Sequence, residues 1–105
     1  CRKGITVSSS GFYANEGRKI SRITPTASDL TDRLAAMDTG ISGLKVENIE
    51  MEAGFLLHFA AGAGYRAGAI CAVIDKHNDG SFAADYLQQI RDATRITLQV
   101  FKSLD

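Results

Sequence analysis

Three short stretches hold side chains suited to chemistry. The run Phe12-Tyr13-Ala14-Asn15-Glu16-Gly17-Arg18 sets two aromatic rings beside a carboxylate and a guanidinium. Aromatic faces stack on planar heterocycles and arginine donates to carbonyl oxygens, so the pattern suits a flat ligand with a polar edge. Aromatics that only anchor a loop into the core would give the same pattern. The step Glu50-Met51-Glu52 puts two carboxylates at the entrance to an apolar stretch. A carboxylate at the edge of a core needs partners. Glu52 therefore either caps the following helix through its free backbone N–H groups or accepts hydrogen bonds from a ligand's hydroxyls. Asp75 directly follows the apolar run Gly68–Ile74. An Asp in that place is a common turn former, and strand ends are also where α/β enzymes set catalytic acids. Of the two histidines, His58 falls inside the apolar stretch and reads as a core histidine with its nitrogens satisfied, while His77 lies in a polar loop.

The elements that must position these groups follow from periodicity. Gly4–Ser10 is β-branched in its middle and reads as a strand, with residues 12–18 as the loop after it. Thr26 or Ser28 is expected to cap a helix over Asp29–Met37, which carries Leu30, Leu34 and Met37 at helical spacing and stops at Gly40. Gly43–Ile49 reads as extended. Met51–Ala61 is apolar nearly all round, the signature of a buried helix, and Gly62 and Gly64 end it. Gly68–Ile74 is a continuous apolar run of the kind found in strands buried on both faces. After the polar loop 75–80, Ser81 is expected to cap a long amphipathic helix. Its buried stripe is Tyr86, Ile90, Ala93, Thr97, Val100 and Leu104, and its wet face is Arg91, Asp92, Arg95, Gln99 and Lys102. This order of strands and helices predicts α/β architecture, in which ligands bind beyond the carboxyl ends of strands. Gly62-Ala63-Gly64 follows a helix and so cannot be a phosphate-binding glycine loop, which follows a strand.

Composition limits the partners. The 105 residues suffice for one small domain. Twelve basic residues balance twelve acidic ones, and they are scattered, so nothing draws the chain to nucleic acid or an anionic membrane. No apolar run approaches the length of a membrane span. The two cysteines, Cys1 and Cys71, lack metal-type spacing, and Cys71 in its apolar setting reads as a buried free thiol, which fits a reducing cytoplasm. Neither cofactor nor metal is expected. The chain opens at Cys1 and reaches a strand within three residues, so it reads as a fragment or processed chain. Intact-mass analysis of the source protein tests this expectation.

Taken in order, the segments resemble the nucleoside phosphorylase superfamily. Phe12–Arg18 is similar to the uridine phosphorylase pattern Phe-Tyr-x-Gly-Gln-x-Arg. Asn48–Gly54 (NIEMEAG) is similar to the family's Glu-Met-Glu signature, and Gly64–Asp75 (GYRAGAICAVID) to its next strand. The final helix resembles the family's last one. The resemblance covers nearly the whole chain. It implies the C-terminal part of a mixed sheet flanked by helices, residues 1–105 forming part of a single domain. Phe12 would pack against a nucleoside, and Met51 would lie under the ribose. Glu52 would accept from the ribose hydroxyls, Arg18 would hold a carbonyl of the base, and Ile74 would line the base pocket. The implied reaction is phosphorolysis of a nucleoside to free base and ribose 1-phosphate. The phosphate site would lie in the N-terminal half of the same protein, and a cytoplasmic, dimer-based homo-oligomer is expected.

The chain departs from the uridine pattern in two places, the loop at Asn15 and Glu16 and the strand end at Asp75. Glu16 stands where those enzymes have Gln: Gln can accept from the pyrimidine N3–H and donate to O2, whereas an ionised Glu repels O2. The preceding Gly is replaced by Asn15, which tolerates a left-handed backbone. Asp75 stands where the uridine enzymes are aliphatic and where hexameric purine enzymes place the acid that protonates N7. Arg18 and Asp75 are thus the candidate catalytic residues. The loop matches at more positions, so a uridine-type substrate is favoured over a purine nucleoside. A nucleosidase of the same superfamily and a degenerate nucleoside-binding member are the other readings.

Overall fold

The computed structural model describes residues 2–76 and 79–104; the expectations for Cys1 and His77 lie outside them. The chain divides into two compact units, Cys1–Ala67 and Gly68–Asp105.

In the first unit, strand β1 (Ile5–Ser8) pairs in parallel with strand β2 (Val46–Glu50). Parallel neighbours cannot be joined by a tight turn, so the intervening chain makes a long crossover. It carries a 3-10 turn at Ala14–Glu16 and the short helix α1 (Leu30–Ala35). The register runs Thr6 to Asn48, Val7 to Ile49 and Ser8 to Glu50, with an irregularity after Ile5. The Thr6 hydroxyl donates to Asn48 Oδ1 at 2.6 Å across the pair. Helix α2 (Ala53–Gly62) starts three residues after β2 and packs against β1, while α1 lies against β2. The cap of α1 is Asp29 rather than Thr26 or Ser28, and its side chain makes no cap hydrogen bond.

The apolar character of α2 does not translate into burial within this chain. Ala53 is the only buried apolar residue among those described. Phe55 is 76% and Phe59 64% exposed, their rings stacked on each other with centroids 5.9 Å apart. His58 is exposed too, so it is not a core histidine here. The expectation of a buried helix fails because burial needs a covering surface, and within the first unit α2 packs against β1 while its phenylalanines stay exposed.

In the second unit, helix α3 (Tyr86–Lys102) forms as its periodicity predicts. Its cap is Asp85, whose carboxylate accepts from the Gln88 N–H at 3.4 Å, and not Ser81. The stripe residues Ala93 and Thr97 are half-buried, while Tyr86, Ile90, Val100 and Leu104 are exposed. The run Gly68–Ile74 does not form the expected strand. Only Asp75 makes a bridge, antiparallel to Phe82, flanked by Ala83 N–H to Ile74 carbonyl at 2.8 Å and Lys76 N–H to Ser81 carbonyl at 2.9 Å. A strand exists only by pairing, and among the described residues, 68–73 make no backbone hydrogen bond. Cys71 is accordingly exposed and free instead of buried.

Candidate functional site

Because β1 and β2 are parallel, the chain leaves both at the same edge of the sheet. The aromatic loop follows β1 and the acidic step follows β2, so both candidate segments start from that carboxyl edge, the usual ligand side of an α/β sheet.

The loop is pinned by its own backbone. The Tyr13 carbonyl accepts from the N–H groups of Glu16 at 3.1 Å and Arg18 at 2.9 Å. Gly17 then takes φ of +83°, and a Cβ there would sit 2.8 Å from the Ala27 carbonyl oxygen. The left-handed residue of this loop is therefore Gly17. Asn15 keeps a negative φ inside the 3-10 turn and has no need of the left-handed tolerance expected for it. Its side-chain amide instead donates to Ser10 Oγ at 3.2 Å. Folding of this loop brings three candidate side chains together. The Arg18 guanidinium lies 5.4 Å from the centre of the Phe12 ring, and Phe12 meets Tyr13 edge to face at 4.9 Å. Glu16 is buried, with a carboxylate oxygen 3.8 Å from Arg18 Nε. A desolvated carboxylate needs such a partner, and the guanidinium supplies part of the compensation. Phe12 and Tyr13 stay close to half exposed, so they are not loop anchors sunk in a core.

At the acidic step the two glutamates divide the work. Glu52 occupies the N-cap position of α2, yet its side chain caps nothing. Glu50 does so from the end of β2. One of its oxygens accepts from the N–H groups of Glu52 at 2.6 Å and Ala53 at 2.5 Å, and the other accepts from the Ser8 hydroxyl. Ser8 Oγ in turn accepts from the Gly54 N–H at 2.7 Å. Desolvation pushes the Glu50 carboxyl up, but the hydrogen bonds from Ala53, Ser8, Glu52 and Gly54 together outweigh it and leave its pKa below the ordinary 4.5. Gly54 makes this closeness possible, since a Cβ there would lie 2.6 Å from Ser8 Oγ. Met51 and Glu52 remain exposed beside this network. Sequence reading weighed capping for Glu52 and missed the roles of Ser8 and Glu50. Ser8 lies 42 residues from Glu50, so no local pattern could have paired them.

Asp75 and Ile74 belong to the second unit. Asp75 is half-buried at its bridge to Phe82, and Ile74 is 39% exposed. Among the described residues no group of three or more His, Cys, Asp or Glu side chains is arranged to hold a metal, and no helix is long and apolar enough to cross a membrane.

The architecture and the site together are those of an α/β protein with ligand-suited loops at the carboxyl edge of parallel strands. The family model described as the phosphorylase superfamily matches residues 1–104, and the chain belongs to that superfamily. Membership carries a function of the nucleoside phosphorylase or nucleosidase type in general. No curated protein and no solved structure matches the chain.

Proposed function

We propose that this chain supplies the ribose- and base-binding side of a nucleoside phosphorylase, with uridine-type nucleosides as substrate. The observation that carries the reading is the division of labour at the acidic step. Glu50 takes the helix cap, so the exposed Glu52 carboxylate is left to accept from ribose hydroxyls at the edge where the Phe12–Arg18 cluster also begins. Phe12 offers a stacking face and Met51 an apolar surface under the sugar. Arg18 donates to a carbonyl of the base and stabilises the charge that develops there as the glycosidic bond breaks. Asp75, the purine-type residue of the sequence, favours a purine nucleoside as the second reading, with Asp75 protonating the leaving base.

In this reading phosphate is held by the N-terminal half of the same protein, and the assembly is a cytoplasmic, dimer-based homo-oligomer. The test is Glu52→Ala in the complete enzyme. Loss of two charge-assisted hydrogen bonds is expected to lower kcat/KM for uridine by about a hundredfold or more, with an unchanged circular dichroism spectrum. Near-normal turnover in that variant sinks the assignment. Release of base that does not require phosphate makes the enzyme a nucleosidase.

A further inference from the structure

We propose that Glu50 is the positioning residue of the ribose site, because its carboxylate occupies the cap that Glu52 would otherwise take. The inference rests on the reading of Glu52 as the ribose ligand.

A residue at the N-cap position ordinarily turns its side-chain oxygen back onto the N–H groups of its own helix's first turn. Glu52 holds that position and does not do so. Three of the N–H groups at this helix start are already satisfied. Those of Glu52 and Ala53 point at one oxygen of Glu50, and that of Gly54 points at Ser8 Oγ. Ser8 also donates to the other oxygen of Glu50, so the two side chains form one closed network joining β1, β2 and α2. Glycine at position 54 is what admits Ser8 to the network. Without the Glu50 carboxylate, the freed N–H groups and the positive end of the helix dipole attract the nearest anion. That anion is Glu52 itself. Its carboxylate then folds onto α2 and leaves the ribose. Glu50 thus acts on the sugar without touching it, by keeping Glu52 uncommitted.

This mechanism makes two predictions that a merely structural role does not. The first concerns hydroxyl discrimination, read from kcat and KM of the full-length protein with uridine against 2′-deoxyuridine and with inosine against 2′-deoxyinosine. Glu52→Ala collapses the preference for the ribonucleoside. Glu50→Ala collapses it likewise, raising the ribonucleoside KM about tenfold while the phosphate KM stays put. Glu50→Gln rescues most of the preference, because its amide oxygen still accepts from the helix and its NH2 can donate to Ser8. The second concerns stability. Glu52→Ala alone has little effect, but in the Glu50→Ala background it lowers the melting temperature further, since Glu52 has taken over the cap.

Should Glu50→Ala fail to fold, Ser8→Ala breaks the same network at its weaker end and is expected to give a partial loss of discrimination. A Glu50→Ala or Ser8→Ala protein with reduced kcat but an intact ribo-to-deoxy ratio overturns the proposal. Additive stability effects of the two glutamate substitutions overturn it as well. If Glu52→Ala itself leaves the ratio intact, the ribose reading fails first, whatever Glu50 does.

Discussion

The junction of β1, β2 and α2 and the stretch Gly68–Ile74 are both short, both close to proposed ligand residues, and built on opposite principles. At the junction, Ser8, Glu50 and three backbone N–H groups satisfy one another completely. At Gly68–Ile74 the residues are apolar, yet among the described residues, 68–73 make no backbone hydrogen bond and the segment is mostly exposed. The difference lies in reach. Hydrogen bonds at a strand–helix junction close over a few ångströms, between groups that the local chain and one partner strand already supply. Apolar side chains gain free energy only when a whole surface covers them. Polar closure therefore fixes the candidate ribose edge within the first unit.

The comparison can be broken most easily at Gly54. Replacing it with Ala thrusts a methyl group against Ser8 and should destabilise the full-length protein by about 1–3 kcal/mol, despite the better helix propensity of Ala. Chemical denaturation measures this, and a stabilised variant shows that the junction is loose.

An acid titration sharpens the same contrast. The Glu50 pKa is depressed in the folded protein, so its contribution is fully present above the unfolded value near 4.5 and is lost as pH falls through the lower folded value. The stability gap between the wild type and Glu50→Gln should be constant above about pH 5 and shrink below it. A gap that widens on acidification contradicts the network. Asp79 shows the same direction of shift, caused first by the Ser81 hydroxyl and then by its N–H, but it holds only an exposed turn. Surface hydrogen bonds of that kind contribute little, so Asp79→Asn should leave the acid profile unchanged.

The smallest effect is expected at the far end of α2. A Cβ on Gly62 meets nothing within 4 Å, so Gly62→Ala should stabilise by about 0.5–1 kcal/mol. Destabilisation in the full-length protein instead reports that something covers this end of the helix closely.

The residues alone determined a good part of this protein. The consecutive β-branched residues Ile5, Thr6 and Val7 locate β1, and the 3.6-residue stripe locates α3, because both are local properties of the chain. The Glu-Met-Glu step and the aromatic–arginine loop are visible as side-chain types in the sequence, and with them the superfamily. Helix caps were legible only in kind. Asp29 and Asp85 hold those positions, one to four residues beyond the nearest expected caps, because several polar residues compete at each start. Tertiary structure alone decided three things: that residues 68–74 are no strand, that α2 is mostly exposed among the described residues, and that Glu50 rather than Glu52 closes the helix. All three depend on what lies opposite a segment in space, and Ser8, 42 positions away, is the plainest instance.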